Sequence, residues 1–363
     1  MGIRYDRDSR RATNGPMFFF SIVKDETFAE QIRSAFLSGL SFYAYRYPED
    51  HMLCYGSSEG YIKGIGTPGF TIGLFSPEKP YITIPYHYQP GLKNSLGNIS
   101  FYNFPHVSTS FEEYKDEVSH IIESLKKGDG SKVVAARVIV ENNPIDIAEE
   151  FYSLCQRFPK GFIFCFGTPA TGCWIGASPE LLLESKNGLI SSMSLAGTRQ
   201  IGTDEPWDDK NIEEQKIVTD YISEIFNRNG LKPEISEPYT KEAGSIEHIC
   251  TEIRGIRDKE LGMKDKCWLE KLLRELSPTP ALCGYPKQFA LKEIDKYEKF
   301  DRGCYGGFCG PFRSSDDFHF NVVLRCAALT QKSHCIYVGG GITSKSDVSK
   351  EWRETEIKYR SIK

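Results

Sequence analysis

Four charged side chains in the second half of this 363-residue chain stand in segments suited to holding one small anion. They are Glu214 in Asp209-Lys-Asn-Ile-Glu-Glu-Gln-Lys-Ile-Val-Thr219, Arg325 in Leu324-Arg-Cys-Ala-Ala-Leu329, and Glu354 with Lys358 in Glu351-Trp-Arg-Glu-Thr-Glu-Ile-Lys358. The last pair follows a glycine turn, Gly339-Gly-Gly-Ile342, by one short segment. Two carboxylates that meet in partly apolar surroundings repel each other unless a cation bridges them. A divalent metal with oxygen ligands does this, and Mg²⁺ characteristically takes one or two carboxylates, waters and the substrate's own oxygens. The arginine, the lysine and the glycine amides then receive a carboxylate from solution. These residue types point to a metal-assisted site for a small carboxylic acid.

Other side chains carry a bland and a functional reading together. Lys132 opens a strand-like run and shares a face with Val134, Ala136 and Val138. It is either a strand-end lysine reaching solvent or a lysine desolvated enough to act as a base near neutrality. Glu180 in Gly176-Ala-Ser-Pro-Glu-Leu-Leu-Leu183 is either a turn residue or, if turned into a cleft, a proton donor. Glu214 falls in register with Val218, Tyr221 and Ile225 on the inward stripe of its helix, where acids seldom stand unpaired. Glu354 and Lys358, at i and i+4, share a polar stripe with Asp347 and Glu351, the usual sign of a solvated face. His248 suits a core position as well as a substrate contact.

The elements that must position these groups do not follow a βαβ rhythm. The first hundred residues read as a meander of short strands split by glycine and proline. A helix follows, capped by Ser110 with Glu113 in return and ended by Gly128-Asp-Gly130, and then a strand over 132–140. Strands are expected at 161–167, 173–176, 181–185, 189–195, 321–329 and 335–338, and helices at 210–227, 265–276, 286–295 and 346–362. No G-x-G-x-x-G follows a strand, so α+β with sizeable antiparallel sheets is expected rather than a doubly wound nucleotide fold.

Composition narrows the partners. With 40% hydrophobic and 26% charged residues the chain is globular in character, and a net charge of −4 gives no reason to expect nucleic acid or an anionic membrane. No apolar run is long enough to span a bilayer, and the charged start has no apolar core of the secretory kind. Residues 1–16 read as a disordered extension or cloning scar, and the fold is expected to begin near Met17-Phe-Phe-Phe20. Eleven scattered cysteines without a Cys-x-x-Cys pair argue against zinc and for a reducing cytoplasm.

From about Ser110 onward the order and wording of the segments resemble the chorismate-utilising enzymes, most closely the isochorismate synthases. The resemblance rests on Lys132-Val-Val-Ala-Ala-Arg137, Ala177-Ser-Pro-Glu-Leu-Leu182, Leu195-Ala-Gly-Thr-Arg199 and Pro278-Thr-Pro-Ala-Leu-Cys-Gly284. It continues through Phe300-Asp-Arg302, Gly306-Gly307, Leu324-Arg-Cys-Ala327, Gly339-Gly-Gly-Ile342 and Glu351-Trp-Arg-Glu-Thr355. It implies one large α+β domain in which 17–109 joins the sheet region of the catalytic part, 110–363. Two antiparallel sheets would pack as a sandwich with helices outside and the site in a deep cleft.

The resemblance also assigns roles. Lys132 matches the lysine that activates a water, Glu180 the acid that protonates the leaving hydroxyl, and Glu214 and Glu354 the Mg²⁺ ligands. Arg325, with Leu324 beside it, Lys358, Tyr337 and the amides at Gly339 match the holders of the substrate carboxylates. Gly197 and Thr198 match the loop at the metal-bound carboxylate, and His248, Ala281, Leu282 and Tyr305 the ring pocket. The implied reaction adds water at C2 of chorismate, shifts the ring double bonds and expels the C4 hydroxyl. Its product serves menaquinone, siderophore or salicylate synthesis. No obligate protein partner is implied, and a monomer is expected.

Two positions separate the relatives. Anthranilate synthases carry glutamine where Lys132 stands, and aminodeoxychorismate synthases carry a lysine where Ala196 stands; Lys132 with Ala196 points to water as nucleophile. Salicylate synthases share both features but usually carry threonine at Ala281. A non-catalytic chorismate sensor is the alternative from another class, against which the retained acid and base both speak. Ser277 and Gln215 replace histidines usual in the family.

Overall fold

The computed structural model describes residues 24–87, 104–203, 205–244, 246–257 and 265–362. The expected extension at 1–16 and the fold start at 17–20 lie outside them. In chain order the elements are α1 (Glu26–Ser38), β1 (Ser41–Arg46), β2 (Cys54–Ser58), β3 (Ile62–Lys63), β4 (Gly69–Gly73) and β5 (Ile82–Pro85). Then come α2 (Phe111–Lys126), β6 (Lys132–Glu141), α3 (Ile147–Arg157), β7 (Phe162–Thr168), β8 (Gly172–Ser178), β9 (Leu181–Lys186) and β10 (Leu189–Gln200). The chain continues through α4 (Asp209–Arg228), β11 (Glu234–Ile235), β12 (Tyr239–Ala243), β13 (Ile246–Ile256), α5 (Asp265–Leu276), β14 (Gly284–Tyr285) and α6 (Lys287–Tyr297). It closes with β15 (Phe308–Ser314), β16 (Asp317–Val322), β17 (Cys326–Leu329), β18 (His334–Ile342) and α7 (Val348–Ile362).

The strands form two antiparallel sheets, as the sequence led one to expect. One runs β14-β6-β18-β17-β8-β7-β1-β2, the other β11-β13-β10-β9-β16-β15-β4-β5-β3 with β12 beside β13. Aromatic rings fill the space between them. Phe70 of β4 stacks on Tyr43 of β1 at 5.2 Å and meets Phe166 of β7 at 5.9 Å. Burying each such ring contributes roughly 2 kcal/mol, so this layer holds the sheets face to face. Outside the first sheet, α1 and α3 pack on Phe42, Ala44, Ile163 and Ile175 through a second apolar cluster.

Three expectations are corrected. The first hundred residues are not strands alone: α1 begins at Asp25, whose carboxylate accepts from the Thr27 and Phe28 amides, and buries Phe28, Ala29, Ile32, Ala35 and Phe36. Gly339–Gly341 is not a turn but the end of β18, paired with β6 as Gly339↔Ala136, Gly340↔Ala135 and Gly341↔Val134. The run expected as one strand at 321–329 is two strands in different sheets, β16 pairing β9 and β17 pairing β8. Between them the chain crosses the sandwich, and Arg325 takes φ 46°, a left-handed turn unusual for a residue with a side chain.

Candidate active site

The crossover brings Leu324 and Arg325 to the wall of a cleft of about 310 Å³. Apart from Lys132, every residue given a role above lines this cleft. Lys132 stands just behind it, 1% exposed, at the first position of β6. Its ammonium donates to Glu214 Oε1 at 2.5 Å. Gly341 makes room for this contact, since a Cβ there would come within 2.7 Å of Lys132 Cε and 2.8 Å of Glu214 Oε1. Gly339 similarly admits the Tyr305 hydroxyl, 2.9 Å from where its Cβ would lie. Gly339 and Gly341 are glycine because neighbouring atoms press on that face of the strand.

Glu180 occupies the connection from β8 to β9 and is 2% exposed. Its backbone is fixed: the carbonyl accepts from the Val322 amide at 3.0 Å and Asn321 Nδ2 at 3.1 Å. Burial pushes its carboxyl up to about 8, with Lys132 and Lys241 opposing the shift. A carboxyl that keeps its proton at neutral pH is a proton donor. Glu180 is thus a turn residue closed off from solvent, and Lys132 does not reach solvent from its strand end.

Gly197 and Thr198 sit in a β-bulge, where the β10–β13 register shifts between Ala196 and Arg199. The bulge turns the Gly197 carbonyl toward His248, whose Nδ1 lies 2.6 Å away. Arg325 Nη2 approaches His248 Nε2 at 2.7 Å, and Nη1 donates to the Ala243 carbonyl at 2.8 Å. Burial and the adjacent Arg325 pull His248 down to about 3, so the ring is neutral. Its Nδ1–H donates to Gly197, and Nε2 accepts from the guanidinium. His248 therefore orients Arg325, two of whose N–H groups are already spent on protein acceptors.

The polar stripe of α7 faces the cleft, not solvent. Lys358 Nζ lies 2.8 Å from Glu354 Oε1 and 2.9 Å from the Gly339 carbonyl. The lysine holds the Glu354 carboxyl below its ordinary value. Burial pulls Lys358 down, but Glu354, Glu214 and Glu351 outweigh it and raise it overall. Two residues without an assigned role join the cluster: Lys210, one helical turn before Glu214, and Glu351, one turn before Glu354, meet at 3.3 Å. Their i, i+4 and i, i+3 spacing to the expected ligands was the available signal.

Tyr305 and Tyr337 stack at 5.6 Å along the wall of the cleft. Gln215 sets its Nε2 within 2.7–2.9 Å of Ser194, Thr219 and Thr251 hydroxyls, anchoring the turn that carries Glu214. The Ser277 carbonyl accepts from Lys287 at 2.6 Å, away from the cleft residues.

The carboxylates suit a hard cation. Glu214, Glu351 and Glu354 offer oxygen only, and the buried Glu351 Oε2 has no hydrogen-bond partner. Among the described residues no group of three or more His, Cys, Asp or Glu side chains is placed to hold a metal ion, so any cation here would rely on one or two carboxylates. An open set of a few carboxylates is how Mg²⁺ is usually held when substrate oxygens complete the shell.

Residues 97–363 match the family of chorismate binding enzymes. This chain belongs to that family. It is 29% identical over 271 residues to the vibriobactin-specific isochorismate synthase of Vibrio cholerae, covering 70% of this chain and 67% of that protein. With isochorismate synthase EntC of Escherichia coli K12 it shares 31% over 244 residues, 64% of this chain and 61% of the relative. The alignments thus span about two thirds or less of these relatives. The solved DhbC structure from Bacillus anthracis shares the fold, with a TM-score of 0.74 over 92% of this chain and 98% of that one at 22% identity. Among the described residues no helix is long and apolar enough to cross a membrane.

Proposed function

We propose that this chain is an isomerase that converts chorismate to isochorismate reversibly. The observation that carries the reading is a buried lysine just behind the cleft, Lys132, and a buried neutral carboxyl lining it, Glu180, with Arg325 and Lys358 on the same cleft. In its neutral amine form Lys132 takes a proton from water as the water oxygen adds at C2. The ring double bonds migrate, and Glu180 gives its proton to the C4 hydroxyl as it departs. Arg325 and Lys358 hold the substrate carboxylates, and the Tyr305–Tyr337 stack backs the ring. Glu214 and Glu354, with Glu351 nearby, would hold Mg²⁺, which supplies positive charge beside the ring carboxylate. Nucleophile and leaving group are both water-sized, so the exchange runs near balance without a redox cofactor. The eleven cysteines form no disulfide, which supports a reducing, cytoplasmic setting, and we read the working unit as a monomer.

Incubated with chorismate and Mg²⁺ near neutral pH, the protein should give isochorismate and reach the same mixture from either side, followed by time-resolved chromatography. Little salicylate or pyruvate should form, because the pocket at Ala281, Leu282 and Tyr305 is not expected to favour the compact conformer that elimination needs. Rapid, stoichiometric salicylate would make the chain a salicylate synthase instead. An ammonium-dependent amino product would overturn the assignment of water.

The pH profile offers an independent check. Glu180, raised to about 8, is protonated at neutral pH and loses its proton as pH rises through that value. The forward kcat/KM should therefore fall on an alkaline limb near pH 8. A profile flat to pH 9.5 would remove Glu180 as the acid.

A further inference from the structure

Behind the cleft, two buried oxygens without hydrogen-bond partners converge on one glycine. Tyr114, on α2, is fully buried, and Glu351, on α7, is 3% exposed. The Tyr114 hydroxyl and Glu351 Oε2 both lack partners. A methyl group built on Gly340 would lie 3.5 Å from Glu351 Oε2, 4.0 Å from Glu354 Oε1 and 4.0 Å from the Tyr114 hydroxyl. Three oxygens thus surround the open side of one glycine in the strand that floors the proposed cation site.

An unpaired buried hydroxyl is destabilising, and an unpaired carboxylate oxygen more so. Finding both at one point calls for a shared partner. Apolar packing does not explain the hydroxyl. The ring of Tyr114 already packs edge-on against Trp352 at 5.4 Å, a contact phenylalanine would make equally well. The other oxygen of Glu351 is engaged by Lys210, which leaves Oε2 directed at the Gly340 notch. Mg²⁺ seldom sheds its whole water shell, and the protons of a retained water need acceptors.

We propose that Tyr114 is a positioning residue of the cation site: its hydroxyl, with Glu351 Oε2 and the space over Gly340, seats a water carried by the bound cation. The hydroxyl accepts one proton of that water and Glu351 Oε2 the other, so the shared water fixes the carboxylate's orientation, while the glycine keeps the seat open. Tyr114 touches neither substrate nor reacting carbon and acts through Glu351. This inference rests on the reading of Glu214 and Glu354 as cation ligands.

The test measures Mn²⁺ binding to the substrate-free protein by electron paramagnetic resonance of the free ion, with Mg²⁺ competition. Wild type should bind one ion, and Glu354→Ala should lose it. Tyr114→Phe keeps the ring packing and should weaken Mn²⁺ affinity roughly two- to tenfold, the equivalent of one hydrogen bond. Gly340→Ala places its methyl group at ordinary contact distances and should weaken binding similarly. Because both changes remove the same seat, the double variant should lose little more than either alone. Wild-type affinity in Tyr114→Phe, with Glu354→Ala still inactive in binding, would overturn the role of Tyr114 alone. No Mn²⁺ binding by wild type, or binding indifferent to Glu354→Ala, would overturn both this inference and the cation site beneath it. A melting temperature lowered in Tyr114→Phe with unchanged affinity would mark the hydroxyl as structural.

Discussion

Lys132→Ala is expected to reduce chorismate turnover by about 10²–10⁴-fold, the usual contribution of a positioned base, with chorismate binding nearly unchanged. The lysine acts on the attacking water in the transition state, whereas the substrate carboxylates are held by Arg325 and Lys358. Its removal also frees Glu214, now paired at 2.5 Å, but that carboxylate keeps partial access to water and does not become a buried lone charge. Glu180→Gln should lose as much in the forward direction, because the amide keeps the shape and hydrogen-bonding reach of the acid without a transferable proton. Pre-steady-state turnover and equilibrium binding of chorismate, measured on the same preparations, separate the two effects. Either variant retaining more than about a tenth of the wild-type rate would contradict the acid–base assignment.

The residues that made these roles legible were those whose type conflicts with their setting. Glu214 stood among the apolar positions of α4, and no solvated helix needs an acid there. Lys132 and Glu180 were different: strand-end lysine and post-proline turn glutamate were sound local readings until the fold closed both off from solvent. Burial of that kind is a tertiary property, written in β18 and the crossover rather than next to the residue. The crossover itself was hidden for the same reason. Residues 321–329 are continuously strand-like, and only the left-handed turn at Arg325 reveals that the chain changes sheets. The glycines of 339–341 were read as a turn because glycine usually marks one. Here they answer to crowding by Tyr305, Lys132 and Glu214, contributed by distant segments. By contrast α1 was overlooked although its signal was local, an Asp cap followed by apolar residues at helical spacing. The charged cluster on α7 lay between these cases. Glu354 and Lys358 were visible as a pair, but i, i+4 spacing describes a solvated face equally well, and only the packing of α7 against the glycine strand distinguishes the two.

Glu354→Ala should abolish Mg²⁺-dependent activity and the metal-dependent part of chorismate binding, while the protein stays folded. Few protein ligands are available, so the loss of one is not made good by the others. Removing the carboxylate also releases Lys358, which now shares its ammonium between Glu354 and the Gly339 carbonyl. A freed lysine can still attract a substrate carboxylate, so residual binding without turnover is the expected pattern, not loss of both. Glu214→Ala should give the same metal phenotype from the opposite wall, with Lys132 losing its carboxylate partner instead. Calorimetric titration with Mg²⁺ and chorismate, together and separately, reads the coupling between them, and circular dichroism checks the fold. A chelator should reproduce the variants in the wild-type protein, and added Mg²⁺ should reverse the chelator but not the substitutions. Undiminished turnover in EDTA would refute the cation reading, and the paired carboxylates would then serve only to hold Lys132 and Lys358 in place.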